Sequence, residues 1–104
     1  RCGGPHAAAA LVGHARNAGL DVFVGGMMES GVGRAAALAV AALPACTFPT
    51  DLGPSLAYFA EDITAPLVTD DSGRMVVPTN SGTGVAPIAA HLEQFTVDRL
   101  VLRP

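Results

Sequence analysis

Val22-Phe23-Val24-Gly25-Gly26-Met27-Met28-Glu29-Ser30-Gly31-Val32-Gly33, followed at once by the alanine-rich run Arg34 to Leu43, decides how this chain is read. Three apolar residues without polar alternation suit a strand covered on both faces. Glycines end that strand, Ser30 stands as an N-cap, and Pro44 closes the helix that follows. A buried strand that breaks into glycines and turns into a helix is how α/β proteins build the rim of a site. Glycine lets main chain approach a ligand, and the helix start offers unpaired N–H groups.

Working outward, Gly4-Pro5 is a helix entry, and Asn17-Ala18-Gly19 stops the helix that begins there. Cys46-Thr47-Phe48 reads as a second strand, ended by Pro49. Helix, strand, helix, strand with short links predicts a parallel α/β sheet or barrel, with Val22–Val24 and Cys46–Phe48 as adjacent parallel strands. Beyond Asp51 the expectations are a short helix from Ser55 to Asp62, and a hairpin of Leu67–Thr69 and Met75–Val77 turning at Asp70-Asp71-Ser72-Gly73. A last helix from Pro87 to about Gln94 and a final strand from Val97 to Leu102 complete the prediction. The hairpin and last helix are expected to lie off the barrel.

Composition bounds the function. The 104 residues make one domain at most, half of them apolar, but aromatics are 5% and tryptophan is absent. Alanine buries little area per residue, so the chain reads as a slice of a larger body. A net charge of −3, with six scattered arginines, argues against nucleic acid. There is no lysine, which removes the Schiff-base nucleophile, the P-loop ammonium and every lysine acid or base. Cys2 and Cys46 have no metal-type spacing and read as separate thiols. No signal-type opening is present, and the apolar run Ala35–Ala45 is far short of the ~20 residues a membrane span needs. A soluble, cytoplasmic protein is the expectation.

Candidate chemistry is sparse. Gly31-x-Gly33-x-x-Ala36 matches the loose dinucleotide fingerprint, but six residues separate the strand from its first glycine, and close helix packing explains the same pattern. Glu29 and Asp51 both follow strand ends and are rim candidates; Glu29 at a helix start also suits the helix dipole. His6 and His14, eight apart on a helix, stand roughly 80° out of line and form no ligand pair. Met27-Met28 reads as packing or as the lining of an adaptable apolar pocket.

At Gly25-Gly26-Met27-Met28-Glu29-Ser30-Gly31-Val32-Gly33-Arg34 the chain resembles the o-succinylbenzoate synthase / N-acylamino-acid racemase group of the enolase superfamily. That family carries a Gly-Gly-Met-x-Glu-(Ser/Thr)-Gly-x-Gly-Arg string at the seventh strand of a modified TIM barrel. The likeness continues through Leu43-Pro44, Phe48-Pro49, Asp51, Asp62-Ile63-Thr64-x-Pro66, Val77-Pro78-Thr79 and Gly82-Thr83-Gly84-Val85. Upstream, Arg1-Cys2-Gly3-Gly4 looks like the Arg-x-Gly-Gly that follows the sixth strand.

The resemblance implies an α/β fold: the C-terminal part of a modified (β/α) TIM barrel, plus a tail returning to an α+β capping domain. Residues 1–54 would be the last helices and strands of the barrel, and 55–104 its closure and tail. Family members abstract the proton α to a carboxylate, using two lysines and an enediolate stabilised on Mg²⁺. By this register the lysines and the three metal carboxylates belong before Arg1, so no catalytic or metal-binding residue is expected in the segment, and alone it should be inactive. The resemblance implies that Gly25, Gly26, Met27 and Tyr58 border the substrate, with Glu29 and Asp51 on or just behind the rim. It implies a small-molecule carboxylate substrate and, as partners, the remainder of the barrel and the capping domain, with no nucleic acid and no membrane. The activity implied is that of the synthase, a dehydration in menaquinone biosynthesis. The racemase and a non-catalytic barrel fragment are the alternatives. Leu52-Gly53-Pro54, in place of a Ser/Thr-rich run, departs from the family pattern.

Overall fold

A computed structural model describes residues 2–102; Arg1 of the Arg1-Cys2-Gly3-Gly4 string and the last two positions of the 55–104 tail lie outside them. Helix α1 spans Pro5–Asn17. It ends as the sequence requires, because Gly19 takes φ +77° and donates to the Arg16 carbonyl at 3.0 Å. The Leu20 N–H then reaches the Ala15 carbonyl at 3.0 Å, so two otherwise orphaned carbonyls are satisfied. Helix α2 spans Gly31–Ala41 and packs on α1. Ser30 occupies its N-cap position, yet its hydroxyl makes no capping bond.

Between the helices, Val22–Gly26 and Thr47–Asp51 run side by side in one direction. The Val22 carbonyl accepts from Thr47 and Phe48 N–H at 2.9 and 3.1 Å. Further along, the Thr50 hydroxyl donates to the Val24 carbonyl at 2.5 Å, and the Gly26 N–H donates to the Asp51 carboxylate at 2.7 Å. Partner numbers rise together, which is the parallel sense. Neither segment is a regular strand, and the described residues contain only isolated bridges. Hydroxyls and a carboxylate occupy places where ladder bonds would otherwise form. Among the described residues only Val22 takes main-chain bonds across the pair.

The second half departs further from expectation. The helix expected from Ser55 to Asp62 is a single 3₁₀ turn, Ser55–Ala57. The hairpin closes by one antiparallel bridge, Thr69 with Met75. Its turn is built on Asp70, whose carboxylate accepts from the Ser72 hydroxyl, the Arg74 N–H and the Ser72 N–H. Those bonds hold the Asp70 carboxyl below the usual carboxylate range. Helix α3 spans Ala89–Phe95, starting two residues later than predicted, because Pro87 bridges to Thr64 and Ile88 donates to Ile63 at 2.7 Å. The strand expected from Val97 to Leu102 is absent. Its apolar side chains are largely exposed, and among the described residues it makes no main-chain bond to another segment.

The buried apolar core is small: Val12, Ala35, Leu38, Val40 and Leu52. The radius of gyration is 15.2 Å, against about 13 Å for a compact chain of this length, and the extents are 45 × 42 × 22 Å. The molecule is a slab. Leu11, Leu20, Phe23 and Phe48 are each more than half exposed. A groove of about 900 Å³ runs between α1, α2 and residues 20–25, lined largely by Val12, Val22, Val24, Ala36 and Val40. No helix among the described residues is long and apolar enough to cross a membrane.

Candidate functional site

The rim at the carboxyl ends of the two parallel segments is organised by a residue from α2. Arg34 is the single charged residue of that helix, and its side chain is fully buried. Its Nη2 donates to the Met27 carbonyl at 2.7 Å, and its Nη1 lies 3.3 Å from the Glu29 carboxylate. The guanidinium also stands over the Tyr58 ring, 5.8 Å from its centroid, within cation–π range. Glu29 folds back to the same loop: its carboxylate accepts the Met27 N–H at 3.2 Å, and its own N–H donates to the Met27 carbonyl at 2.9 Å. Both main-chain groups of Met27 are therefore held, while the Met27 and Met28 side chains stay exposed.

This geometry places each sequence candidate. A Cβ on Gly26 would come 2.8 Å from Arg34 Nη1 and 3.6 Å from the Asp51 carboxylate, so a side chain there would have to push the guanidinium aside. A Cβ on Gly25 would make only ordinary contacts, the nearest at 3.8 Å, and Gly25 opens onto the 900 Å³ groove. Asp51 fixes the Gly26 N–H. Of the roles open to Glu29, cap and partner, the side chain takes that of partner to Arg34 and Met27. Tyr58 is half exposed and meets Met27 through Arg34.

The cap of α2 comes instead from Asp62. Its carboxylate accepts the Gly31 N–H at 2.7 Å and a short hydrogen bond from the Ser55 hydroxyl. Ser55, Asp62 and Thr64 are all buried. Burial pushes the Asp62 carboxyl upward, but bonds from Ser55 and the N–H groups of Gly31, Ile63 and Thr64 outweigh it and hold the group below its ordinary range. His91 on α3 meets the Asp62 carbonyl through Nδ1 at 2.8 Å and Glu61 through Nε2 at 3.2 Å. The C-terminal half is thereby tied to the start of α2.

Sequence reasoning overlooked Arg34 and Asp62 as organisers. A lone arginine in an alanine-rich helix was the available signal for the first. Asp62 meets Gly31 across 31 positions, and no local pattern announces that pairing. The described residues contain no group of three or more histidine, cysteine or acidic side chains able to hold a metal.

Parallel segments joined by a helix, with a glycine rim at their carboxyl ends, suit an α/β body, and the enolase-superfamily neighbours described next support one of the TIM-barrel type. The chain belongs to the family described as enolase C-terminal domain-like, whose model matches residues 1–91. It is 44% identical over 82 residues to an N-succinylamino acid racemase of Amycolatopsis, covering 79% of this chain and 22% of that protein. It is 45% identical over 75 residues to an o-succinylbenzoate synthase of Listeria innocua, covering 72% and 20%. Among solved structures, a probable mandelate racemase from Alicyclobacillus acidocaldarius superposes with a TM-score of 0.81 at 35% identity, over 88% of this chain and 24% of that one. An enolase-superfamily member from Listeria innocua gives 0.79 at 37%, over 86% and 24%. The chain thus spans about a fifth to a quarter of the length of these relatives.

Proposed function

We propose that this chain is the C-terminal part of an enolase-superfamily lyase of the o-succinylbenzoate synthase type, a cytoplasmic enzyme of menaquinone biosynthesis. The observation that carries the reading is the string Gly25–Arg34 folded into a pinned rim, in a chain 45% identical to a protein of that name. Residues 1–54 form the last barrel elements and 55–104 its closure and the tail toward the capping domain. The slab shape, the exposed Phe23 and Phe48 and the long apolar groove support burial of this face against the rest of the barrel. The acid and base that move the α-proton lie outside this lysine-free segment. Mg²⁺, which residues outside it would hold, would supply positive charge to the reaction.

What this chain contributes is shape. Gly25 and Gly26 let main chain approach the substrate, and exposed Met27 and Tyr58 give its apolar part a surface. Asp51 and Glu29 keep that rim from moving. The racemase remains a second reading, because the Amycolatopsis relative is equally similar. The test uses the full-length protein that carries this chain, loaded with Mg²⁺. It follows dehydration of a cyclohexadiene carboxylate and, in D₂O, α-hydrogen exchange of N-succinylamino acids. Dehydration supports the synthase. Exchange without dehydration moves the assignment to the racemase, and neither reaction from folded protein overturns both.

A further inference from the structure

We propose that Arg34 is a positioning residue that sets substrate selectivity by fixing Met27 and Tyr58 relative to one another; the inference rests on the function proposed above. A guanidinium with no solvent exposure is costly to bury, and this one is incompletely satisfied. Its Nε and Nη1 make no hydrogen bond, and the Glu29 carboxylate at 3.3 Å lies outside bonding geometry for Nη1. Simple stabilisation of an alanine-rich helix does not call for such a group. An apolar side chain would fill the space with less desolvation. What arginine alone supplies is reach and a planar fork. One arm holds the Met27 carbonyl, the other faces Glu29, and the guanidinium carbon stands 5.8 Å from the Tyr58 ring centroid.

The consequence is that two exposed apolar side chains, far apart in sequence, share one buried anchor. Met27 is carried on a loop whose main-chain N–H and carbonyl are both engaged by Glu29, with Arg34 also on the carbonyl. Tyr58 follows the 3₁₀ turn Ser55–Ala57, and the guanidinium stands over its ring. Gly26 completes the device, since any side chain there would displace Nη1. Releasing the anchor leaves both side chains in place but frees their separation. Selectivity among substrates with different apolar groups then changes before proton transfer does.

The test uses the full-length protein with Arg34→Met, which keeps the volume and removes the fork, and Arg34→Lys, which keeps the charge. Amide hydrogen exchange is read at Met27–Glu29. Steady-state α-proton exchange is measured with N-succinylalanine and N-succinylphenylalanine. In Arg34→Met the 27–29 amides should exchange at least tenfold faster. The ratio of kcat/KM between the two substrates should shift by about tenfold, within the range that an apolar pocket discriminates. The loss should fall on KM more than on kcat, and Arg34→Lys should restore part of it. A folded Arg34→Met protein with unchanged exchange at 27–29, or with an equal loss for both substrates, overturns the inference. If the wild type dehydrates the cyclohexadiene carboxylate but exchanges neither amino acid, the loss on KM over kcat and its rescue by Arg34→Lys are read on dehydration, and their absence overturns the inference; if it does neither, the proposed function falls and the selectivity role with it. The amide exchange data then still decide whether Arg34 holds the loop.

Discussion

Replacing Gly31 with alanine tests whether the Asp62 cap or the sequence-adjacent Ser30 governs the start of α2. A Cβ at position 31 would overlap the Thr64 hydroxyl, and would stand 3.0 Å from Thr64 Cβ and 3.2 Å from the Asp62 carboxylate. Thr64 and Asp62 are only 2% and 4% exposed, so neither can swing into water. Either Thr64 turns and gives up its bond to the Ala65 carbonyl, or residues 62–64 back away and lengthen the 2.7 Å bond from the Gly31 N–H. Overpacking costs about 1–3 kcal/mol, and weakening a hydrogen bond to a charged group about 1.5–3 kcal/mol. Alanine recovers at most ~1 kcal/mol of helix propensity. The net expectation is a loss of about 2–4 kcal/mol.

Gly13→Ala in α1 is the control, because nothing lies within 4 Å of a Cβ there. The same chemical change should stabilise by roughly 0.5–1 kcal/mol. Urea denaturation of the full-length protein, with m unchanged, reads both. Thr64→Ala removes the hydroxyl, so the double variant Gly31→Ala/Thr64→Ala should be less destabilised than the sum of the singles by ~1–2 kcal/mol. A neutral Gly31→Ala, or strict additivity with Thr64→Ala, would show that the 62–64 segment does not press on the helix start.

Other consequences are equally checkable. Because the Asp62 carboxyl titrates lower when folded, its contribution is complete above the unfolded value near pH ~4 and is lost as pH falls through the folded value. Asp62→Asn should therefore cost about 2 kcal/mol or more at neutral pH and flatten the acid limb of the stability profile. An unchanged acid limb would refute that. Thr50→Val removes the bonds to the Val24 carbonyl and from the Leu52 N–H, and should cost about 1–2 kcal/mol in the same denaturation experiment. Met27→Ala and Tyr58→Ala should change kcat/KM unequally among substrates with different apolar groups, by ~1–3 kcal/mol, while α-carbon exchange survives. Equal losses with exchange abolished would make them supports of the catalytic geometry instead.

Legibility in the sequence followed the range of the forces involved. Both long helices were readable because their ends are encoded locally: Pro5 at the first turn, Gly19 in a positive-φ stop, Pro44 after the second. The parallel pairing of residues 22–26 with 47–51 was readable from element order, but regular strands were not to be found. Beyond the two main-chain bonds to the Val22 carbonyl, the cross-bonds come from Thr47, Thr50 and Asp51 side chains, which no propensity scale foresees. The expected helix after Ser55 stops after one turn. The Ser55 hydroxyl and the Asp62 carboxylate must meet beneath Gly31, and a continuous helix would put residues seven apart roughly two turns from one another. The last strand failed for a simpler reason: its apolar side chains stay largely exposed, unburied by the other described residues.

The candidate rim was legible as a string, but its supports were not. Gly25, Gly26, Met27 and Glu29 are neighbours in sequence, so their joint presence at one rim needed no fold to be seen. Their ordering forces come from elsewhere. Asp51 arrives from the next parallel segment, Arg34 from inside α2, and Asp62 from beyond the 3₁₀ turn. Two of these are buried charges, which burial alone disfavours. Each is bonded to a main-chain group: Arg34 to the Met27 carbonyl, which the Glu29 N–H also meets, and Asp62 to the Gly31 N–H. A charged residue at an apolar position in a short-residue helix, or an acidic residue after a helix-breaking turn, is therefore worth treating as a main-chain clamp. In this chain the two clamps grip opposite ends of one segment, Met27 to Gly31, and so fix both the loop that carries the rim and the helix that carries Arg34 itself.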